Sequence, residues 1–208
     1  MKAVLMSIQP KWCELIASGK KTVEVRKTKP KLEVPFKVYI YCTKDGKNLI
    51  KGDISTTIDF VAVNGGKVIG EFVCDRIDTV ARIRTPCMDY TTVNDKWDTH
   101  FCEISCLNGD ELGKYLGFNK DGYGWHISNL VIYDKPRELG EFTTVDNEAV
   151  QNCNHRVQSY YDGFCNSGYL KCGFYCKVKD DWCDKCKTKP ITRPPQSWCY
   201  VERSESNG

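Results

Sequence analysis

The sequence predicts a mostly β, α+β protein built as a small barrel or pseudo-barrel with two or three short helices. Its 208 residues are 41% hydrophobic and 12% aromatic, which is enough for one good core and excludes a disordered or collagen-like chain. Segments typical of strands recur through the first 133 residues, whereas helical spacing is confined to short stretches. No run of eighteen apolar residues occurs, and the first apolar stretch is too short for a signal peptide. We therefore expect a cytoplasmic protein with no membrane partner.

The first elements are a strand, a helix and a second strand. Residues 3–8 are apolar and predict a buried strand. Pro10 suits the first turn of a helix because an N–H at that position would have no partner within the helix, so proline loses no hydrogen bond. Trp12 lies on the apolar face of that helix, and Gly19 supplies the left-handed residue that ends it. Residues 20–26 then alternate between apolar and charged side chains, which predicts a strand with one dry face and one polar face.

The middle of the chain predicts more strands and one more helix. Apolar or alternating patterns predict strands at residues 36–43, 58–63, 67–75 and 123–133. The triplet Asn64-Gly65-Gly66 predicts a hairpin turn between the second and third of these strands. Asn108 predicts the start of a short helix that ends at Gly117. Residues 81–108 show no periodicity, and we expect them to be irregular.

Positive charge is concentrated near the N-terminus. Residues 1–50 contain 11 Lys and Arg against 4 Asp and Glu, a net charge of +7, so the remainder carries −4 of the total of +3. Lys20, Lys27, Lys29 and Lys31 surround one short segment. Such a run is either a solvated face or an electrostatic surface for a nucleic acid.

The segment from Gly19 to Arg26 carries a spaced set of charges. It has the form Gly-x-Lys-x-x-Glu-x-Arg, with Lys21, Glu24 and Arg26 as the charged positions. Two cations suit phosphates or base edges, and the carboxylate between them can orient a cation or accept from an exocyclic amine. The alternative is a surface ion pair between Glu24 and Arg26, worth about 0–1 kcal/mol.

This motif resembles that of the ASCH (activating signal cointegrator homology) domains of the PUA-like superfamily. The strand ending at Ser7, the helix at Pro10 and the later segments 70–72 and 124–127 are also similar to family elements. The resemblance covers residues 2–142 and implies a PUA-like barrel. We therefore predict an ASCH domain at residues 1–142 and a cysteine-rich, irregular extension at residues 143–208, whose end packs back on the barrel.

The resemblance implies a module that binds RNA or a modified nucleotide in a cleft beside the barrel. The expected nucleic-acid-binding residues are Lys20, Lys21, Glu24, Arg26, Lys27, Trp125 and His126. The last two would stack on a base; the alternative is a core tryptophan and a hydrogen-bonded histidine.

An enzyme on the same cleft is the second hypothesis. Some relatives are implied to remove the acyl group from an N4-acylated cytidine with a lysine, a threonine and a glutamate, and others to cleave RNA. Here the lysine maps onto Lys21, the threonine position holds Glu24, and the glutamate maps onto Glu71. The hydroxyl nucleophile is thus missing, although a carboxylate with a raised pKa could activate water. A protein-interaction adaptor that acts through the extension is the third hypothesis.

The thirteen cysteines fall into two groups, six in residues 1–150 and seven in residues 151–208. Cys13, Cys42 and Cys74 lie in apolar contexts and are expected to be small hydrophobic residues. The extension holds a compact set with spacings of three, six and two residues: Cys172, Cys176, Cys183 and Cys186. A Cys-x2-Cys pair is typical of half of a structural zinc site, so we expect Zn²⁺ there, with an iron–sulfur cluster, redox thiols or no metal as alternatives. Cys165 and His155 are further candidate ligands.

Overall fold

A computed structural model gives the fold and describes residues 2–44, 65–145, 175–176, 181–182 and 188–203. The predicted mostly β, α+β class is confirmed. The helices of the described residues are α1 (Pro10–Ala17), α2 (Phe101–Ser105), α3 (Gly109–Leu116) and the 3-10 helix Leu139–Glu141. The strands are β1 (Ala3–Ile8), β2 (Val23–Arg26), β3 (Phe36–Cys42), β4 (Val68–Cys74), β5 (Ile77–Arg84), β6 (Asp89–Val93), β7 (Lys96–Trp97), β8 (Asp121–His126), β9 (Ser128–Arg137), β10 (Phe142–Val145), β11 (Tyr175–Cys176), β12 (Asp181–Trp182), β13 (Thr188–Pro190) and β14 (Trp198–Arg203).

The strands form two main sheets. One has seven strands in the order β13-β10-β14-β1-β3-β4-β9, and the other has five in the order β2-β8-β5-β6-β7. In the larger sheet β1 and β3 run parallel, with Val4 opposite Val38, while the other neighbours are antiparallel. The helix α1 lies between β1 and β2 in the sequence. It therefore carries the chain from the larger sheet to the edge of the smaller one.

The central strands of the larger sheet, β1 and β3, are buried on both faces. Val4 and Met6 of β1 point into one apolar cluster, and Ala3 and Leu5 point into another on the opposite face. This alternation is the period of two that a strand imposes, and it explains why β1 is a continuous apolar run. Trp125 joins the first cluster.

A third cluster lies between the smaller sheet and the short helices. Val23 and Val25 of β2 pack there against Phe101 of α2 and Leu112 of α3. A capping box fixes the start of α3. The Asn108 side chain accepts from the backbone N–H of Glu111, and the Glu111 side chain accepts from the backbone N–H of Asn108. The dry face of β2 is therefore covered by helices, and its polar face points the other way.

The prediction that residues 81–108 are irregular is wrong. They contain the second half of β5, then β6, β7 and α2. The buried strand positions in this stretch are Ala81 and Thr91, so no large apolar residues mark the buried face. The turn at Asn94 and Asp95, with φ of 48° and 65°, was the available signal, because a two-residue hairpin needs positive φ at both positions and asparagine tolerates it.

The single strand expected at residues 123–133 is two strands in different sheets. β8 ends at His126 in the smaller sheet and β9 begins at Ser128 in the larger one. The chain crosses between sheets at Ile127, whose N–H donates to the Thr22 carbonyl at 2.9 Å. Neither glycine nor proline marks this crossing, so the sequence pattern continues through it.

The last described strand lies in the larger sheet. β14 pairs with β1 on one side and with β10 on the other, so these parts of the expected irregular extension are regular strands. The strand predicted at residues 58–63 lies outside the described residues. None of the described helices has the length and apolar character needed to cross a membrane.

Candidate functional site

The start of β2 places the charged motif. Gly19 has φ of 73° and ends α1, and the Lys21 N–H then donates to the Leu15 carbonyl at 2.9 Å. Lys21 therefore lies before the strand and not within it. Within one strand, Lys21 and Glu24 would point to opposite faces because they are three residues apart. Since Lys21 precedes β2, it can reach the same side as Glu24 and Arg26, which share one face of β2.

The three charged side chains form a buried triad. The Lys21 Nζ lies 3.4 Å from Glu24 Oε2, and the Arg26 Nη2 lies 3.1 Å from Glu24 Oε1. Lys21, Glu24 and Arg26 are only 2%, 6% and 7% exposed. One carboxylate thus faces two cations away from bulk water, where charge interactions are stronger than on a surface.

Backbone carbonyls hold the two cations. Lys21 Nζ donates to the carbonyl of Ser105, and Arg26 Nη2 donates to the carbonyl of Ser7 at 2.7 Å. The Lys21 Nζ also lies 5.1 Å from the centre of the Trp12 ring, within range of a cation–π contact. The triad is therefore fixed by α1, by the end of α2 and by β1 at once.

One donor in this cluster has no partner within the described part of the chain. The Arg26 Nε is buried and makes no hydrogen bond to any described residue. A buried guanidinium N–H without an acceptor costs free energy, so it marks a place where a ligand acceptor would be stabilising.

The triad lines a cavity of about 830 Å³. This is within the range of pockets that take small molecules. α3 contributes Glu111, Lys114 and Tyr115 to its wall. The remaining lining residues are Ser7, Ile8, Gln9, Trp12, Val25, Thr43, Leu107, Pro194, Pro195, Gln196 and Ser197.

Tyr115 is the more exposed of the two aromatic residues in the wall. Partial burial raises the pKa of its phenol, although the neighbouring Arg26 acts in the opposite direction. The phenol is therefore protonated at neutral pH and able to donate. The Lys27 Nζ lies 5.5 Å from its ring centre, so Lys27 belongs to the rim of the cavity.

The other predicted binding residues lie outside the lining. Lys20 is exposed beside the motif. Trp125 stands opposite Glu24 in the β2–β8 register, but it is fully buried and packs against Phe36, so it presents no face to a base. His126 bonds to Asp78 instead, with Nε2 at 2.6 Å from Oδ2. For Trp125 and His126 the structure favours the alternative of a core tryptophan and a hydrogen-bonded histidine.

Glu71 is also apart from the cavity lining. Its carboxylate accepts from the Lys37 ammonium at 2.6 Å and from the Tyr133 hydroxyl. Burial and this contact raise the pKa of Tyr133, so the phenol remains a donor. Lys21 and Glu24 come together as predicted, whereas Glu71 serves a separate cluster in the larger sheet.

Sequence reasoning missed the aromatic and C-terminal parts of the wall. Trp12 was placed correctly on α1, and its position two turns before Gly19 was the signal that it lies near Lys21. Tyr115 lies on a helix that the sequence predicts only from its ends, Asn108 and Gly117, and nothing in that pattern marks Tyr115 as part of a site. Residues 194–197 reach the cavity only through the pairing of β14 with β1, which no local pattern indicates.

The cysteines fall into described and undescribed groups. Cys13, Cys42 and Cys74 are fully buried, as expected for small hydrophobic residues. Burial raises the pKa of Cys13 and raises that of Cys74 to about 12, so both are thiols at neutral pH. The described side chains contain no cluster of three or more potential metal ligands. The side chains of the predicted zinc ligands Cys172, Cys176, Cys183 and Cys186 lie outside the described residues.

The two sheets, the short helices and the cleft at β2 define a PUA-like α+β domain. The chain belongs to the ASCH domain family, whose match spans residues 6–135. The ASCH domain is a PUA-like fold family that is generally RNA-binding. Among curated proteins no match is found.

Solved structures that match part of this chain include an ASCH protein from Zymomonas mobilis and two of its mutants. The crystal structure of the ASCH protein is 18% identical over 66% of this chain and 73% of that chain, with a TM-score of 0.45. A tyrosine-to-phenylalanine mutant of that protein is 17% identical over 67% of this chain and 77% of its own, with a TM-score of 0.45. A serine-to-alanine mutant is 18% identical over 66% and 74%, also with a TM-score of 0.45.

Proposed function

We propose that the protein recognises RNA or a modified nucleotide in the cleft formed by Lys21, Glu24 and Arg26. The observation that carries this proposal is the buried triad on the wall of an 830 Å³ cavity, with the Arg26 Nε lacking a partner among the described residues. The general RNA binding of the ASCH family supports the same conclusion.

The charge of the cleft favours an electron-rich ligand. One carboxylate is shared by two buried cations, so the triad carries an excess positive charge, and because Lys114 and Glu111 balance each other on the wall, the lining keeps that excess. A phosphate, a base carbonyl or a ring nitrogen would accept from the free Arg26 N–H. Tyr115 provides aromatic surface beside these donors, where stacking contributes about 1–3 kcal/mol per base.

The contacts favour recognition over hydrolysis. Lys21 Nζ is engaged by Glu24 and by a backbone carbonyl, and Glu71 is bound to Lys37 and Tyr133 away from the cavity lining. Of the acid/base set of the hydrolase hypothesis, Lys21 and Glu24 therefore lie together while Glu71 is apart, so the full set is not assembled in the described residues. An amidohydrolase or ribonuclease that uses Lys21 and Glu24 remains the competing proposal, and the same experiment tests it.

The experiment is a binding titration of the full chain with short single-stranded RNA and with modified nucleosides, including an N4-acylated cytidine, at several salt concentrations. We expect binding that weakens with salt and no product. Arg26→Lys keeps the charge but loses the fork of donors, so affinity should fall about tenfold or more.

The matched control is Arg82→Lys. Arg82 also has a buried Nε without a described partner, but it lies outside the cavity lining and donates to Thr91 at 3.2 Å. The Arg82→Lys variant should bind with the same affinity as the parent. Product formation would mean that the protein is a hydrolase and not a recognition module. Equal affinities of the parent and Arg26→Lys, or no binding by the parent, would contradict the proposal.

Structural zinc in the extension is a separate proposal. Cys172, Cys176, Cys183 and Cys186 have the spacing of a thiolate site, and the extension holds few aliphatic residues of its own. Elemental analysis of the purified chain should give one zinc per molecule, and the Cys183→Ser/Cys186→Ser variant should contain none. Absence of metal from the parent would make these cysteines ordinary thiols.

A further inference from the structure

One wall of the cleft comes from outside the part of the chain that matches the family. The match ends at residue 135, whereas residues 194–197 line the same cavity as Lys21 and Arg26. We call residues 194–197 the C-terminal wall. The C-terminal wall therefore makes this cleft different from a cleft that is built only of residues within the family match.

Ser7 connects the C-terminal wall to the triad. Its hydroxyl donates to the Pro195 carbonyl at 2.7 Å, and its N–H donates to the Ser197 carbonyl at 2.9 Å. Its own carbonyl accepts from Arg26 at 2.7 Å. One residue of β1 therefore binds the wall with two donors and the guanidinium with its acceptor.

β14 fixes the wall from its other end. Trp198, the first residue of β14, stands opposite Met6 in the sheet, and its indole N–H donates to the Thr28 hydroxyl at 3.1 Å. The Tyr200 hydroxyl accepts from the Lys31 N–H at 2.7 Å. The wall is therefore anchored to both sides of the charged motif, which is the preorganisation that selective recognition needs.

Of the wall's two polar side chains, the Ser197 hydroxyl and the Gln196 amide, only the amide presents donors and an acceptor on separate atoms. Pro194 and Pro195 have no N–H, and the carbonyls of Pro195 and Ser197 already accept from Ser7. Gln196 is exposed at the cavity and carries two donors and an acceptor.

The charged triad cannot make the same distinction, and the other amide side chain of the lining, Gln9, precedes α1 within the family match. Lys21 and Arg26 are donors only, and the acceptors of Glu24 face those two cations. The triad therefore attracts an anion or a carbonyl but discriminates weakly between base edges. A glutamine amide matches a donor and an acceptor on one edge together, which is how glutamine reads adenine in nucleic-acid complexes.

We infer that the C-terminal wall makes the cleft base-selective and that Gln196 is a specificity-determining residue. This inference rests on the proposed nucleotide recognition. It adds that the ligand is distinguished by its base edge, through a part of the chain that the family match does not include.

The test compares the affinities of the four ribonucleoside 5′-monophosphates with that of ribose 5-phosphate, which lacks a base. The parent should rank the four bases, and Gln196→Ala should reduce the ratio between best and worst by about fivefold to a hundredfold. Affinity for ribose 5-phosphate should not change. Ser7→Ala, which frees the Pro195 carbonyl, should weaken the ranking in the same direction.

Two matched controls isolate the wall. Arg193→Ala changes an exposed neighbour that does not line the cavity. Ser128→Ala removes an equivalent serine bond to a backbone carbonyl, that of Val73 at 2.9 Å, elsewhere in the sheet. Both should keep the parent ranking.

The outcomes separate the two proposals. A parent that binds nucleotides without ranking them, or a ranking that survives in Gln196→Ala, overturns the inference and leaves nucleotide recognition standing. A parent that binds neither nucleotides nor RNA removes both. If Ser7→Ala does not fold, the comparison of Gln196→Ala with Arg193→Ala still decides.

Discussion

Two carboxylates in this protein are each flanked by two basic groups, and they differ in what surrounds them. Glu24 lies between Lys21 and Arg26. Asp78 lies beside His126 at 2.6 Å and Arg76 at 3.3 Å. Both carboxylates are well buried, so a list of charged neighbours does not distinguish them.

The difference lies in the cations and the space beside them. Lys21 and Arg26 are buried on a cavity wall, whereas the Arg76 side chain is 63% exposed and lies outside that lining. Asn94 also donates to Asp78 at 3.0 Å, so the Asp78 cluster is closed on itself. Buried cations beside a cavity, rather than the charge pattern, are what mark the Glu24 cluster as a site for a ligand.

The first prediction is that Glu24→Gln is the more damaging of the two neutral replacements. It leaves two buried cations facing an amide that can accept from only one of them at a time. Loss of one partner from a buried ion pair costs about 3–5 kcal/mol, and we expect the free energy of unfolding to fall by that amount. Urea denaturation measures it.

The control for this variant is Glu103→Gln. Glu103 pairs with His100 at 2.8 Å on a surface where its side chain is 79% exposed, and such pairs contribute about 0–1 kcal/mol. A Glu24→Gln loss no larger than that of Glu103→Gln would mean that the triad is effectively solvated.

The second prediction is a smaller loss for Asp78→Asn. The amide keeps a hydrogen-bonding side chain in place, and the exposed Arg76 can be hydrated once its partner is neutral. A weakened buried hydrogen-bond cluster costs about 1–3 kcal/mol. A loss equal to that of Glu24→Gln would break the comparison.

The loss of stability at acid pH also distinguishes Asp78→Asn from the parent. Burial acts to raise the pKa of Asp78, but hydrogen bonds from Asn94 and His126 and the charges of His126 and Arg76 outweigh it, so the pKa lies below its ordinary 3.8. A lowered carboxyl pKa stabilises the fold above the ordinary value, and that stabilisation is lost as pH falls through the lowered one. Between about pH 5 and pH 2 the parent should lose more stability than Asp78→Asn. Parallel curves would contradict this.

The charged half of the site was predictable because it is local. Lys21, Glu24 and Arg26 lie within one short segment. The only ambiguity is the side to which Lys21 points, and it disappears because β2 begins at Val23. A helix end, a glycine and a strand start are enough to bring these side chains together.

The remainder of the site depends on distant pairings. Trp125 was expected at the cleft because it lies in a family-like segment just before a strand, but the pairing of β2 with β8 places it over Phe36 in the core. Residues 194–197 reach Ser7 only because β14 pairs with β1. Strand order and register over such separations are decided by packing of the whole sheet, which single-sequence periodicity does not contain.

The third and smallest prediction compares a cation from each cluster. Arg76→Gln removes a group whose side chain is largely in water, so the free energy of unfolding should change by about 0–1 kcal/mol. Lys21→Gln removes a fully buried ammonium from Glu24 and from the Ser105 carbonyl, and it should cost several times more. Urea denaturation of both variants gives the ratio. Equal losses would show that burial of the cation is not what separates the two clusters, and the cavity beside Arg26 would then be the sole physical distinction of the Glu24 site.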